Sequence, residues 1–388
     1  MTSNPKSKKH LPSPIDAKLL VAASEINADM LYATKFFAPD SFIYFEFFGR
    51  SYSVMSDLEI DRAHRQAKVN TILSLSHIQQ EISKQGHRTI DTAAVIDWIF
   101  TKKKIKMVQV PYEFPTGLAW KLRRRGFKII PKPEPFFEER QIKQRQEIRE
   151  ISKAQNTAEN ALIAGIEMIR DSRINSNKKL ILNGVPLTAE KVKHKINSIL
   201  LSHGYLASHT IVAGGNHGCD PHNEGHGPLP AHKPIILDIF PRCQNSGYWG
   251  DITRTVVRGN ANNKIKDIYN AVLSTQTLAL DQIKEGSSGR KIHQMIVQTF
   301  HSLGFPTGTH NGRMQGFFHG TGHGVGLEIH EPPYIGSKAQ DILKKGQVVT
   351  VEPGLYYNGI GGVRIEDLVV VTSKGCRNLT KLPKFLEI

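Results

Sequence analysis

Four acidic residues stand inside stretches that otherwise read as buried β-strands, and their placement constrains the fold more than any other feature of the chain. Asp238 lies in IILDIF (235–240), Asp251 in GYWGDITRTVV (247–257), Glu352 in VVTVEPGLYY (348–357) and Glu366 in VRIEDLVVV (363–371). A carboxylate among isoleucines and valines is strongly unfavourable unless it is paired or bound to metal. One such residue could pair with an arginine, and Arg254 or Arg364 could serve. Four of them gathered in one place could not all stay ionised. Two divalent cations would balance them, four negative charges against four positive.

A histidine-rich stretch lies between the second and third of these strands. HGTGHGVGLEIHE (319–331) places His319, His323 and His330 among glycines, which let the backbone pass close to a metal or a substrate. The spacing is not that of the helical H-E-x-x-H zinc motif, so histidines alone do not make the site. For any one histidine a satisfied structural role is the ordinary reading, and only the joint spacing points to chemistry. A second histidine-rich segment, GCDPHNEGHG (218–227), offers His222, with His217 and His226 as close competitors.

The remaining signals divide the chain near the proline-rich PKPEP (131–135). Upstream, FIYFEFFGRSYSVM (42–55) reads as a hairpin around Gly49-Arg50. Ser56 and Glu59 have capping-box spacing and should open a helix. IKMVQVP (105–111) reads as a strand, TGLAWKLRRR (116–125) as a helix stopped by Gly126, and FKIIP as the next strand. Residues 1–135 are therefore expected to form a small α/β domain, and 136–388 the second domain of an α+β chain. The second domain should open on a long helix from about Phe136, with Ile148, Ile151, Ala158, Leu162, Ile166 and Ile169 on one face. Helices are expected over 262–283 and 288–305, and strands over 233–240, 247–257, 346–357 and 363–372.

The ordered set Asp238, Asp251, His323, Glu352 and Glu366, each in its own string, resembles the pita-bread metallopeptidases: methionine aminopeptidases, Xaa-Pro aminopeptidases, prolidases and creatinase. The resemblance covers about 136–388. Residues 1–135 resemble, more weakly, the creatinase-like domain that precedes the catalytic domain in the proline-specific branch. The resemblance implies two divalent ions, Mn²⁺ first for so oxygen-rich a ligand set, with Co²⁺ or Zn²⁺ as substitutes. It implies that Asp238 holds one ion, that Asp251 and Glu366 bridge both, and that His323 and Glu352 complete the other. A hydroxide bridging the ions would attack the peptide, with Glu352 shuttling the proton to the leaving nitrogen. His330 would stabilise the tetrahedral intermediate, His222 would reach the leaving-group side, and His319 would line the substrate pocket. Arg364 would support a metal-site carboxylate or meet the substrate's own carboxylate. The interval from Asp238 to Asp251 is two residues longer than the family's usual one, which a longer tip in PRCQNSG absorbs.

The expected substrate is a peptide with proline in second position. A methionine aminopeptidase-like enzyme is the alternative within the same chemistry, and a non-catalytic scaffold binding protein or nucleic acid is the alternative outside it. Retention of all five ligands favours an enzyme. The formal net charge of +16 raises the question of an acidic partner. The basic runs TKKKIK (101–106) and KLRRRGF (121–127) lack regular aromatic interleaving, so nucleic acid is set aside. No apolar run is long enough to cross a bilayer, and MTSNPKSKKHLPSPID has no apolar core behind its lysines. With three scattered cysteines, Cys219, Cys243 and Cys376, a reducing cytoplasmic setting is expected. A homodimer is implied only by the family resemblance.

Overall fold

The computed structural model describes residues 15–86 and 89–388. Of the stretch read for a targeting signal, 1–16, residues 1–14 lie outside them. The chain divides into two compact units, Met1–Glu138 and Glu139–Ile388.

The first unit is built on a six-stranded sheet. Its elements are β1 (Ala17–Ala22), α1 (Ala28–Thr34), β2 (Phe42–Phe47), β3 (Arg50–Met55), α2 (Ile60–Gln66), β4 (Thr71–Ser74), α3 (Leu75–Lys84), α4 (Thr92–Lys102), β5 (Met107–Pro111), α5 (Thr116–Arg124) and β6 (Lys128–Lys132). The strand order is β4-β3-β2-β1-β5-β6. β2 runs antiparallel to both neighbours, whereas β3–β4, β1–β5 and β5–β6 are parallel. The expected hairpin turns at Phe48-Gly49, both in the left-handed region at φ 47° and 70°. Gly126 ends α5 at φ 91°, a backbone conformation that favours glycine. The expected capping box does not form. α2 starts at Ile60 because the Ser56 carbonyl accepts from both Glu59 and Ile60, closing a turn first, and the Glu59 carboxylate binds Arg62 at 2.8 Å.

The second unit opens on α6 (Arg145–Arg170), nine residues later than Phe136. The delay has a local cause: Gln144 and Glu147 form the capping box that the start of the helix needs. Arg140 and Lys143, just before it, are drawn into ion pairs with Glu331. Ile151, Ala154, Ala158, Leu162, Ile166 and Ile169 are buried along one face of α6. This face packs with α7 (Ala189–Ser202) against a three-stranded antiparallel sheet, β7 (Ile211–Gly214), β8 (Ile235–Ile239) and β9 (Ile252–Val256), with β8 in the middle. Burying each large aliphatic side chain there contributes about 1.5–3 kcal/mol.

A second layer of α8 (Asn263–Gln282) and α9 (Gly289–Ser302) covers a five-stranded sheet. Its strands are β10 (Gly322–Gly324), β11 (Glu331–Ile335), β12 (Val348–Val351), β15 (Asp367–Val371) and β16 (Cys376–Asn378), in the order β11-β10-β12-β15-β16. Between β12 and β15 the chain leaves this sheet to form the separate hairpin β13 (Gly354–Tyr357) and β14 (Gly361–Arg364). The stretches 346–357 and 363–372, expected as single strands, are therefore each split. The breaks fall at Glu352-Pro353 and Ile365-Glu366, which places two of the four acidic residues at crossings between sheets rather than inside a strand. The longer tip between Asp238 and Asp251 turns back on itself, with the Cys243 N–H donating to the Tyr248 carbonyl at 2.9 Å.

Candidate metal centre

Each acidic residue is set in place by its backbone. Asp238 lies in β8, in register with Ile211 on one side and Thr253 on the other. Asp251 directly precedes β9, and its N–H donates to the Gln155 side-chain oxygen on α6 at 2.8 Å. Gly250 makes that approach possible, since a Cβ there would come within 2.7 Å of the Ala154 backbone. His323 is the central residue of β10, and its N–H donates to the Thr350 hydroxyl at 3.1 Å. That hydroxyl donates in turn to Glu352 Oε1 at 3.1 Å. Glu366 receives the Thr253 hydroxyl at 2.8 Å while its own N–H donates to the Thr253 carbonyl at 3.1 Å. The two threonines face the site from opposite sheets, so each sheet orients a carboxylate supplied by a crossing segment.

All five side chains line one cavity of about 760 Å³. Asp251, His323 and Glu366 offer ligand atoms that lie within 4.8 Å of one another. His323 Nε2 is 3.2 Å from Glu352 Oε1 and 3.8 Å from Asp251 Oδ2. Asp238 Oδ2 receives Arg364 Nη2 at 2.6 Å. Burial, reinforced by the neighbouring carboxylates, pushes Asp251 and Glu366 well above the usual carboxylate range. Burial would raise Glu352 as well, but the hydrogen bond and charge of His323 hold it below that range. Burial likewise works against a charged His323, and Glu352 more than offsets it. Four carboxylates share Arg364 and His323 as their nearby cations, too few to keep all four ionised. Oxygen donors with one imidazole suit divalent cations, so the residues present fit such ions.

The other expected site residues line the same cavity. Arg364, besides holding Asp238, donates to the Tyr356 hydroxyl at 2.9 Å and is buried. His319 Nε2 and the same hydroxyl lie 2.8 Å apart, while His319 Nδ1 lies 2.8 Å from the Gly320 carbonyl. Removal from water pushes His319 down to about 4, and it stands neutral at neutral pH. His330 sits edge-on to the His323 ring, centroids 4.3 Å apart. Partial removal from water, with His323 beside it, pushes His330 down to about 4. His222 lines this cavity too, whereas His217 and His226 stack on each other at 4.1 Å and line a separate one.

Tyr356 is the site residue that sequence reasoning missed. It joins His319 to Arg364, and through Arg364 to Asp238. Its one signal was a position in VEPGLYY four residues past Glu352. Arg254, weighed as a pairing partner for one of the four carboxylates, instead binds Asp367 at 2.9 Å and the Glu366 carbonyl at 2.6 Å. It steadies the backbone of the Glu366 crossing, not the carboxylate.

The profile of metallopeptidase family M24 matches residues 149–373. A Xaa-Pro dipeptidase of Pyrococcus horikoshii is 31% identical over 280 residues, covering 71% of this chain and 72% of the relative. Among solved structures, a Xaa-Pro dipeptidase from Bacillus anthracis is 26% identical with a TM-score of 0.79, covering 96% of this chain and 95% of that one. An X-Pro aminopeptidase from Thermotoga maritima has the same TM-score at 24% identity, covering 96% and 98%. The fold, a pita-bread domain preceded by a smaller N-terminal domain, is shared with these structures.

Proposed function

The chain belongs to metallopeptidase family M24, and from that premise we propose that it is an exopeptidase that removes the N-terminal residue from peptides carrying proline in second position. The observation that carries the proposal is the donor set itself: Asp238, Asp251, His323, Glu352 and Glu366 line one cavity, with ligand atoms of Asp251, His323 and Glu366 within 4.8 Å of one another. In this reading Asp238 would serve one ion, Asp251 and Glu366 would serve both, and His323 and Glu352 would serve the other. The preference for proline is supported by relatives named as Xaa-Pro dipeptidase and X-Pro aminopeptidase. The Met1–Glu138 unit takes the part of the creatinase-like N-terminal domain.

When bound, two divalent ions, Mn²⁺ first among them, would polarise the scissile carbonyl and acidify a water. The chain's own residues do the rest. Glu352, oriented by the Thr350 hydroxyl, accepts a proton and delivers it to the leaving nitrogen. His330, lining the cavity and held neutral at neutral pH, would donate a ring N–H to the carbonyl oxygen as charge develops there, a contribution that is strong in a site sheltered from water. His222 stands at the leaving-group side. Arg364 neutralises and fixes Asp238, and with Tyr356 it holds His319 as a neutral wall of the substrate pocket.

The test is hydrolysis of Xaa-Pro, Xaa-Pro-Xaa and Met-Ala-Xaa peptides by protein stripped with chelator and reloaded with Mn²⁺. Metal-dependent cleavage of the proline peptides is expected. Cleavage of the methionine peptide alone would replace the proline reading with the methionine one, and no cleavage with no metal retained would refute a peptidase.

A further inference from the structure

The two basic runs, 101–106 and 121–127, are separated in sequence but meet at one edge of the six-stranded sheet. Pairing makes this plain: Ala17 of β1 is level with Phe47, the last residue of β2, and with Val108 of β5, which is level with Ile129 of β6. That edge therefore collects the starts of β1, β3, β5 and β6 and the tip of the β2–β3 hairpin. α4 ends there with Lys102, Lys103 and Lys104, and Lys106 leads into β5. α5 ends there with Arg123 and Arg124, and the Lys128 N–H donates to the Lys106 carbonyl at 2.9 Å. Among the described residues the carboxylates at this edge are occupied: Asp16 accepts the Lys106 and Met107 N–H groups, each at 2.8 Å, Asp97 holds Arg125 at 2.9 Å, Glu46 holds Lys18 at 3.3 Å, and Glu81, which also feels Lys102, holds Lys84 at 2.7 Å.

Aromatic side chains accompany these cations, one of the contacts distant in sequence and two along the helices themselves. Lys103 Nζ lies 4.3 Å from the Tyr52 ring and 5.6 Å from Phe47, tying the end of α4 to the hairpin. Arg124 lies 4.7 Å over Trp120, and Lys102 3.6 Å over Trp98. Phe48 at the hairpin tip is 88% exposed and Trp120 55%, large ring area facing solvent on the unit that carries these cations. A row of cations with exposed rings along a sheet edge is the arrangement that tracks a sugar-phosphate backbone and stacks unpaired bases. Six strands give that edge a length of about 24 Å, room for about seven stacked nucleotides.

We propose that this edge of the N-terminal unit, from the β2–β3 hairpin tip to the ends of α4 and α5, binds single-stranded nucleic acid. One hairpin-tip phenylalanine offers little apolar surface to a bilayer, and a duplex keeps its bases out of reach of Phe48 and Trp120. The proposal is independent of the peptidase reading.

The test uses the full chain and a fluorescent 20-nucleotide oligouridylate, titrated by anisotropy at several KCl concentrations. Binding is expected, with log K falling against log salt at a slope of about −3.5 if five phosphates are neutralised. Lys104→Glu/Arg123→Glu should flatten that slope and weaken binding at least tenfold, with Lys104→Gln/Arg123→Gln as the milder pair if the first fails to fold. Phe48→Ala/Trp120→Ala should weaken binding about thirtyfold or more with the slope unchanged. Peptide hydrolysis should be the same in all of them. No binding, binding untouched by these variants, equal affinity for a matched duplex, or capture by phosphatidylserine vesicles without capture of the oligonucleotide would each overturn the proposal.

Discussion

A carboxylate set into a wall of isoleucine and valine must find a positive partner or take up a proton, and at this site the partners differ from residue to residue. Asp238 has Arg364 and Glu352 has His323 close by, whereas burial and the neighbouring carboxylates outweigh the cations near Asp251 and Glu366. These two should therefore depend most on bound cations. Asp251→Ala or Glu366→Ala is expected to abolish both metal binding and peptide hydrolysis, checked by metal content after dialysis alongside turnover; retained activity in either variant would remove the shared-ligand assignment. His330→Ala should behave differently, keeping its metal while kcat falls about 10²–10³-fold. Loss of metal from that variant would make His330 part of the ligand shell instead.

Two elements hold the site from behind. α6 reaches Asp251 through Gln155, and the approach depends on the absent side chain at Gly250. Gly250→Ala should push the Asp251 segment off the helix and lower kcat/KM about a hundredfold, as small misplacements of catalytic groups do; activity within twofold of wild type would contradict that dependence. The segment before α6 is pinned to β11 by Glu331, which takes Lys143 at 2.7 Å and Arg140 at 2.9 Å. Burial alone would raise the Glu331 carboxyl, but the two cations outweigh it and hold it below the ordinary range. A folded-state value below the unfolded one adds stability that is present above the unfolded value and is lost as pH falls through the folded one. Glu331→Gln should therefore cost about 3 kcal/mol near neutral pH by stranding buried cations. In denaturant titrations the gap to wild type should close as pH drops below the usual glutamate range, and a gap independent of pH would refute the assignment.

For the whole molecule, a candidate metal site assembled from two sheets and the segments crossing between them would couple metal binding to folding, because no unfolded chain gathers these candidate ligands. Ions that bind only the folded state stabilise it by about 2.7 kcal/mol at a hundredfold excess over Kd. Stripping with chelator should lower Tm, and Mn²⁺ should restore it in proportion to the logarithm of its concentration. A Tm indifferent to metal would argue against a preformed two-ion site. The net charge of +16 also acquires a location at this scale, since a good part of it lies along one sheet edge of the N-terminal unit.

The four candidate acidic donors stand out in the sequence because burying charge is costly: an acidic residue inside an apolar run announces itself whatever surrounds it. His323 stands out only through its spacing among glycines and the family resemblance. The alternation of strands and helices, the hairpin at 42–55 and the stop at Gly126 were legible because period and turn chemistry are local. Partnership was not. Arg254 and Arg364 lie within a few residues of candidate carboxylates, yet one serves Asp367 and the other Asp238, 126 positions away. Tyr356, Thr253, Thr350 and Gln155 carry no charge that would mark them, and gain their meaning only from what the fold sets opposite them. The basic runs were visible as charge, but their convergence with Phe48 and Trp120 depended on strand order. Burial cost and periodicity belong to single residues and short stretches, whereas partnership is a property of pairs distant in sequence, decided only when the sheets form.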